Sequence, residues 1–335
     1  MLRTRRLLAL RNIAVLLALA GPATGQIRQP SVQSIIWRDP GDIRSLDLFW
    51  GPGGEKRQPQ PPVAFLGEDL QGTSPKFDVR DSNDKKWKAK LGLEAKPETA
   101  ASRLLWAAGY GANENYFFAQ LQVTNMPTTL QRGQSLAGGG GLVPNVRLQR
   151  HPEGKKRIGY WNWRHNPFYG TREFNGLRIM MALIGNWDLK DDNNAIFEDE
   201  KQAGPKLYEV SDVGTAFGTA GKIYSDKKSK GNLEAFARTK LIAHIHKNSI
   251  DLNFPKRPPL SSLFELEWDF FFRQTRILWI GRHIPRADAK WIGSRLAQLS
   301  PDQIRDAFRA AGYSPQEIDL CTQAVITRIQ ELNSL

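Results

Sequence analysis

A chain of 335 residues with 40% hydrophobic and 24% charged residues has the proportions of a folded protein with a sizeable core, which excludes a disordered or fibrous chain. A single cysteine, Cys321, excludes an intrachain disulfide and a cysteine-built zinc site. The formal net charge of +13 favours anionic partners, among them phosphates, acidic headgroups and nucleic acid, without choosing between them.

In chain order, Arg3, Arg5, Arg6 and Arg11 form a basic head, 13–20 is a short apolar run, and Ala23-Thr24-Gly25 offers small residues for cleavage. This predicts a signal peptide over 1–25, since the apolar run is far short of the roughly 20 residues of a spanning helix. A secreted or periplasmic location follows, with no transmembrane segment after cleavage. Without those four arginines the formal charge falls to about +9. Residues 26–64, with GPGG and QPQPP, predict an extended arm or linker.

Alternation in Phe77-Asp78-Val79 and in Trp87-Lys88-Ala89-Lys90-Leu91, across the turn residues Asp81-Ser82-Asn83-Asp84, predicts a hairpin. Gly72-Thr73-Ser74-Pro75-Lys76 is a small-residue loop ahead of it. A helix is expected from Pro97 to Gly109, then a strand over 116–123, a Gly-rich insertion near 133–141 and a second hairpin of 143–148 with 158–163. The aromatic tract 160–174 suits a core or a seam between lobes. An all-apolar helix over 177–184 should be buried. Helices are then expected over 233–245, 263–279, 287–299, 301–311 and 315–335, the last two opened by Ser-Pro-x-Gln/Glu start signals at Ser300 and Ser314. Cys321 reads as a buried structural thiol. The basic clusters Lys85-Lys86, Lys155-Lys156-Arg157 and Lys227-Lys228 carry no interleaved aromatics, so no specific nucleic-acid motif is present.

The organising stretch is 186–214, NWDLKDDNNAIFEDEKQAGPKLYEVSDVG. Phosphoryl transfer needs a carboxylate to orient the attacking hydroxyl and hard oxygen ligands for magnesium. Asp188 and Asn193 stand five apart, as in D-x-x-x-x-N, and two short strands, 194–197 and 207–211, lead to Asp212-Val213-Gly214. A calcium loop fits less well, because D-L-K-D-D-N-N lacks the EF-hand glycine and terminal glutamate.

Over roughly 65–290 this order resembles the protein-kinase-like superfamily, and more closely its atypical HipA-like and phosphoinositide-kinase-like branches, as an exported bacterial-type member. The resemblance implies an α+β, two-lobed kinase-like fold with a strand-rich N-lobe over 65–135 and a mainly helical C-lobe over 136–335. It implies Lys90, with Lys88 as alternate, as the lysine that grips nucleotide phosphates, and Glu98 rather than Glu94 as its acidic partner. Gly72, Ser74 and Lys76 would belong to the nucleotide loop, Asp188 would be the catalytic base, and Asn193 and Asp212 the metal ligands; Asp191 and Asp192 are alternates. The cofactors implied are ATP, or another nucleoside triphosphate, and magnesium. The activity implied is phosphoryl transfer, with nucleotidyl transfer as a variant, to a hydroxyl on a protein, lipid or sugar. The alternative is an inactive pseudokinase that binds an anionic small molecule, a nucleotide or a partner. Departures from the family pattern are the missing G-x-G-x-x-G loop, Asn186-Trp187 in place of His-Arg, and Val213 in place of phenylalanine.

Overall fold

The computed structural model describes residues 34–72, 74–151, 154–202, 204–218, 231–254 and 278–335. The expected signal peptide, most of the helix expected over 263–279, and the segment beyond Gly218 lie outside the described residues.

Alternation builds the first lobe. In β4 (Lys86–Leu91), Trp87, Ala89 and Leu91 face inward while Lys86, Lys88 and Lys90 face out. With β2 (Val63–Glu68), β3 (Lys76–Arg80), β5 (Glu114–Thr124) and β6 (Leu142–Arg150) it closes a five-stranded barrel in the order β2-β3-β4-β6-β5. Closure is by a short parallel pairing of β2 with β5, and it leaves the barrel no open edge. Phe77, Trp87, Tyr116, Leu121 and Val146 fill the interior. One helix, α1 (Ala95–Ala107), is inserted between β4 and β5.

Two sequence expectations are corrected by this topology. Segments 143–148 and 158–163 do not form a hairpin: β6 fits between β4 and β5, whereas β7 (Lys155–Gly159) pairs with β8 (Asn194–Asp199) in another sheet. The barrel lobe therefore runs to residue 150 rather than ending at 135, with the Gly-rich stretch inside it. Alternation specifies that a segment is a strand, but not which distant strand it joins.

The second lobe is built on α2 (Arg172–Leu183), whose N-cap Thr171 accepts a hydrogen bond from the Phe174 amide. Phe174, Leu177, Ile179, Met180, Met181 and Leu183 are each at most 1% exposed, so the helix is buried all round, as its composition requires. A four-stranded sheet, β1-β9-β8-β7, lies beside it, with β1 (Ser34–Ile35) parallel to β9 (Lys206–Val210), and β8 (Asn194–Asp199) antiparallel to β9. The aromatic tract splits by side: Trp161, Trp163, Phe168 and Phe174 are buried, while Tyr160 and Tyr169 are exposed. Three terminal helices follow, α4 (Arg286–Leu296), α5 (Pro301–Arg309) and α6 (Pro315–Asn333). Both expected start signals are complete capping boxes, Ser300 with Gln303 and Ser314 with Glu317. Cys321 is buried on α6, and burial pushes its thiol up to about 12. The two-lobed α+β arrangement, strand-rich first and mainly helical second, is as expected from the sequence. Among the described residues no helix is long and apolar enough to cross a membrane.

The helix expected over 233–245 stops early. α3 (Leu233–Arg238) ends where Arg328 of α6 donates to the carbonyls of Phe236 and Thr239, and the chain continues as β10 (Ile242–Ile245), paired with β11 (Ser249–Leu252). Tertiary contacts override a pattern that fits a helix.

The expected arm is folded. Ile36, Ile43 and Leu48 are at most 1% exposed in the large core, and Asp39 makes a bidentate pair with Arg295 at 2.8 and 2.7 Å. The Trp37 indole donates to the Ala108 carbonyl at 2.7 Å, and Arg103 of α1 donates to the Phe49 carbonyl. This segment is a strap that touches both lobes.

Candidate active site

The cleft between the lobes has a volume of about 1390 Å³. Gly72, Ser74, Lys76, Lys90, Glu98, Asp188, Asn193 and Asp212, the eight residues singled out from the sequence, all line it.

From the barrel side, β4 aims Lys90 outward at α1, and the helix returns Glu98 to meet it. The Lys90 Nζ stands 3.0 Å from the Glu98 carboxylate, 2.7 Å from Glu94 and 3.3 Å from both oxygens of Asp212. Burial acts to lower the Lys90 pKa, but Glu98, Asp212 and Glu94 together outweigh it, and the ammonium is held well above the usual lysine range. Lys88 is committed elsewhere, at 2.5 Å from Asp69 and 3.0 Å from Asp78. Glu94, set aside in the sequence because it precedes the helix, is nearer to Lys90 than Glu98 is, and also accepts from the Ser74 hydroxyl at 2.8 Å. Gly72 has a φ of 67°, which suits its glycine, and its carbonyl accepts from Arg132. Lys76 lies beside Asp69; burial first, then repulsion from Lys88 and Lys90, pulls its pKa down.

From the other lobe, α2 is followed past its C-cap Ile184 by Gly185, with φ 67°, and the next residues form a loop pinned to the segment after β9. The Thr215 hydroxyl donates to Asn186 at 2.5 Å and accepts from the Asp188 amide at 3.3 Å. The Asn193 carbonyl accepts from the amides of Ser211 and Asp212 at 2.8 and 3.1 Å. The Asn193 side-chain amide donates to the Asp188 carbonyl at 2.6 Å and to its carboxylate at 3.3 Å. These bonds bring Asp188, Asn193 and Asp212 to one wall. Desolvation in the cleft works to raise the Asp212 pKa, but the Lys90 charge prevails and holds it below the usual carboxylate range. Of the alternates, Asp191 is occupied with Asn162 and the Trp163 amide, a structural role, and Asp192 is exposed at the rim.

Magnesium fits this donor set. Asp212 offers a carboxylate, and with the Asn193 Nδ2 committed to Asp188 its Oδ1 is the end available, so both are hard oxygen donors. Among the described residues no cluster of three or more His, Cys, Asp or Glu is arranged to hold a metal alone. Two protein oxygens leave the rest of an octahedral shell to water or to a ligand's oxygens.

Sequence reasoning ranked Glu94 below Glu98 and missed two contributors: the Asn186–Thr215 bond, and Arg147 of β6, which pairs with the far oxygen of Glu98 at 2.8 Å. Only Glu94 had a sequence signal, its four-residue spacing from Lys90.

No family model and no curated protein matches the chain. Among solved structures, a Helicobacter pylori proinflammatory kinase, CtkA, is similar at 10% identity and a TM-score of 0.34, covering 79% of this chain and 98% of its own. The Golgi casein kinase is similar at 13% identity and a TM-score of 0.31, covering 89% of this chain and 80% of its own. The same kinase with Mn and ADP bound gives 13% identity, a TM-score of 0.28, and 84% and 76% coverage.

Proposed function

We propose that the protein is an exported kinase-like phosphotransferase that uses a magnesium nucleotide and a hydroxyl acceptor. The observation that carries this reading is the position of the Lys90 ammonium, 3.0 Å from Glu98 on one lobe and 3.3 Å from Asp212 on the other, with Asp188 on the same cleft wall. A strand lysine paired with a helix glutamate and facing an Asp-Asn set is the machinery of phosphoryl transfer. The basic head and apolar run at 3–20 support export to a secreted or periplasmic location.

In this reading Lys90 binds the nucleotide phosphates, held in place by Glu98. Asp212 and Asn193 would hold magnesium, which when bound screens phosphate charge and orients the transferred group. Asp188 accepts the proton of the incoming hydroxyl at its carboxylate, and its backbone amide is fixed by Thr215. Gly72, Ser74 and Lys76 cover the phosphate end from the barrel side. The cleft volume exceeds what a single small ligand fills, which suits a nucleotide and an acceptor together.

Calorimetric titration of ATP with magnesium into the protein, with Lys90→Ala and Asp212→Ala beside it, tests the reading. Metal-dependent binding markedly weakened in both variants is expected. No binding, or binding indifferent to both substitutions, overturns it. Binding without turnover under any acceptor, unchanged by Asp188→Ala, identifies the pseudokinase instead.

A further inference from the structure

Arg147 and Lys90 are direct neighbours across the antiparallel pairing of β4 and β6. Like charges placed opposite each other on a ladder repel, and here both are buried, at 1% and 5% exposure. Glu98 lies between them and serves both: Oε2 stands 3.0 Å from the Lys90 ammonium and Oε1 2.8 Å from Arg147 Nη1. The same Nη1 donates to the Asn115 side-chain oxygen at 2.8 Å, so the guanidinium is fixed from β5 as well. With Oε1 occupied, only Oε2 is open to Lys90, and the ammonium has one place to sit, in reach of Asp212.

We propose that Arg147 is a positioning residue of the phosphate-binding lysine: by clamping one oxygen of Glu98 it orients the carboxylate and sets where Lys90 presents its charge to the cleft. The inference rests on the proposed function for its catalytic meaning but not for its geometry. Four charged groups bear on Glu98: Arg147 from β6, Lys90 from β4, Glu94 from the start of α1 and Asp212 from beyond β9. Burial tends to raise the Glu98 pKa, and Arg147 is the strongest influence against it, ahead of Lys90. Loss of Arg147 therefore frees the Glu98 carboxyl to rotate and to take up a proton, and Lys90 loses its anchor.

Two measurements test this on the whole protein. In the first, affinity for magnesium ATP is compared in wild type, Arg147→Met, Lys90→Met and the double variant, each checked for a cooperative thermal transition. Arg147→Met should weaken binding about tenfold, Arg147→Lys should recover most of the loss, and the double variant should bind no more weakly than Lys90→Met alone, because Arg147 acts through Lys90. Should Arg147→Met fail to fold, Arg147→Gln, which keeps a donor and drops the charge, takes its place. Additive losses in the cycle, or wild-type affinity in the Arg147 variant, overturn the proposal. The second needs no nucleotide: the side-chain carboxyl carbon signal of Glu98, identified by its loss in Glu98→Gln, is followed by NMR at neutral pH. It should move toward the position of a protonated acid in Arg147→Met and return in Arg147→Lys; an unmoved signal overturns the proposal. A wild type that binds no nucleotide refutes the kinase reading, while the carboxyl signal still decides the role of Arg147.

Discussion

Glu209 sets up a measurable dependence of stability on pH. It lies on β9, 2% exposed, opposite Ala195 of β8, and a Cβ added at Gly111 would come within 2.7 Å of its Oε2. Neither carboxylate oxygen has a hydrogen-bond partner among the described residues, and burial pushes its pKa from 4.5 up to about 8, with Arg157 only partly opposing. The sign follows from linkage: the folded state holds this proton more tightly than the unfolded chain, so the contribution to stability is fully present below about pH 4.5 and is lost as pH rises through about 8. Between pH 5 and pH 8 the two pKa values correspond to about 3 to 4 kcal/mol, a large share of the stability of a typical domain. Other groups titrate in the same window, so the readout is the difference between wild type and Glu209→Gln in urea unfolding at pH 5, 6.5 and 8. The two should be close at pH 5, with the glutamine variant the more stable by a few kcal/mol at pH 8. Parallel pH profiles for the two proteins would refute the reasoning.

The buried strap makes Ile43→Ala costly, about 2 to 5 kcal/mol, whereas Asp39→Ala, at an exposed pair with Arg295, should leave the denaturation midpoint nearly in place; equal effects would contradict the packing. Cys321, buried and with its thiol pushed up to about 12, should resist maleimide in the native protein and react once urea unfolds it, read by mass. Ser300→Ala removes the hydroxyl that accepts from the Gln303 amide, one half of a capping box, and should cost about 1 kcal/mol, seen as a lower chemical-denaturation midpoint with an unchanged slope.

Much of the cleft was legible because its signals are local. Lys90 falls on the outward phase of an alternating strand, Pro97-Glu98 opens a helix, and Asp188 and Asn193 share one loop, so the periodicity of short segments already orients their side chains. Asp212 follows a strand whose partner is its near neighbour in sequence, with the same result. Arg147 carries no such mark: its significance lies in being opposite Lys90, a pairing that joins strands separated by a helix and another strand. The same limit explains the false hairpin of 143–148 with 158–163, since β6 is captured by partners on both sides. The strap was misread for another reason. Its prolines and glycines describe a chain without regular structure, which 34–62 mostly is, but irregular backbone can be buried when its few apolar residues, Ile36, Ile43 and Leu48, find a core elsewhere. Glu209 was invisible because a single glutamate in a strand gives no sign of which side it faces.

The strap also sets an order of events in folding. Its partners, Arg295 and Gln303, the latter donating to the carbonyls of Ile43 and Leu46, are more than 250 residues further along the chain. A chain emerging N-terminus first holds Ile36, Ile43 and Leu48 without their core until α4 and α5 have been made. The barrel, whose strand pairings all lie within residues 63–150, has no such wait. Local closure of the barrel is therefore expected ahead of the docking of the strap, whose contacts reach both lobes on either side of the cleft.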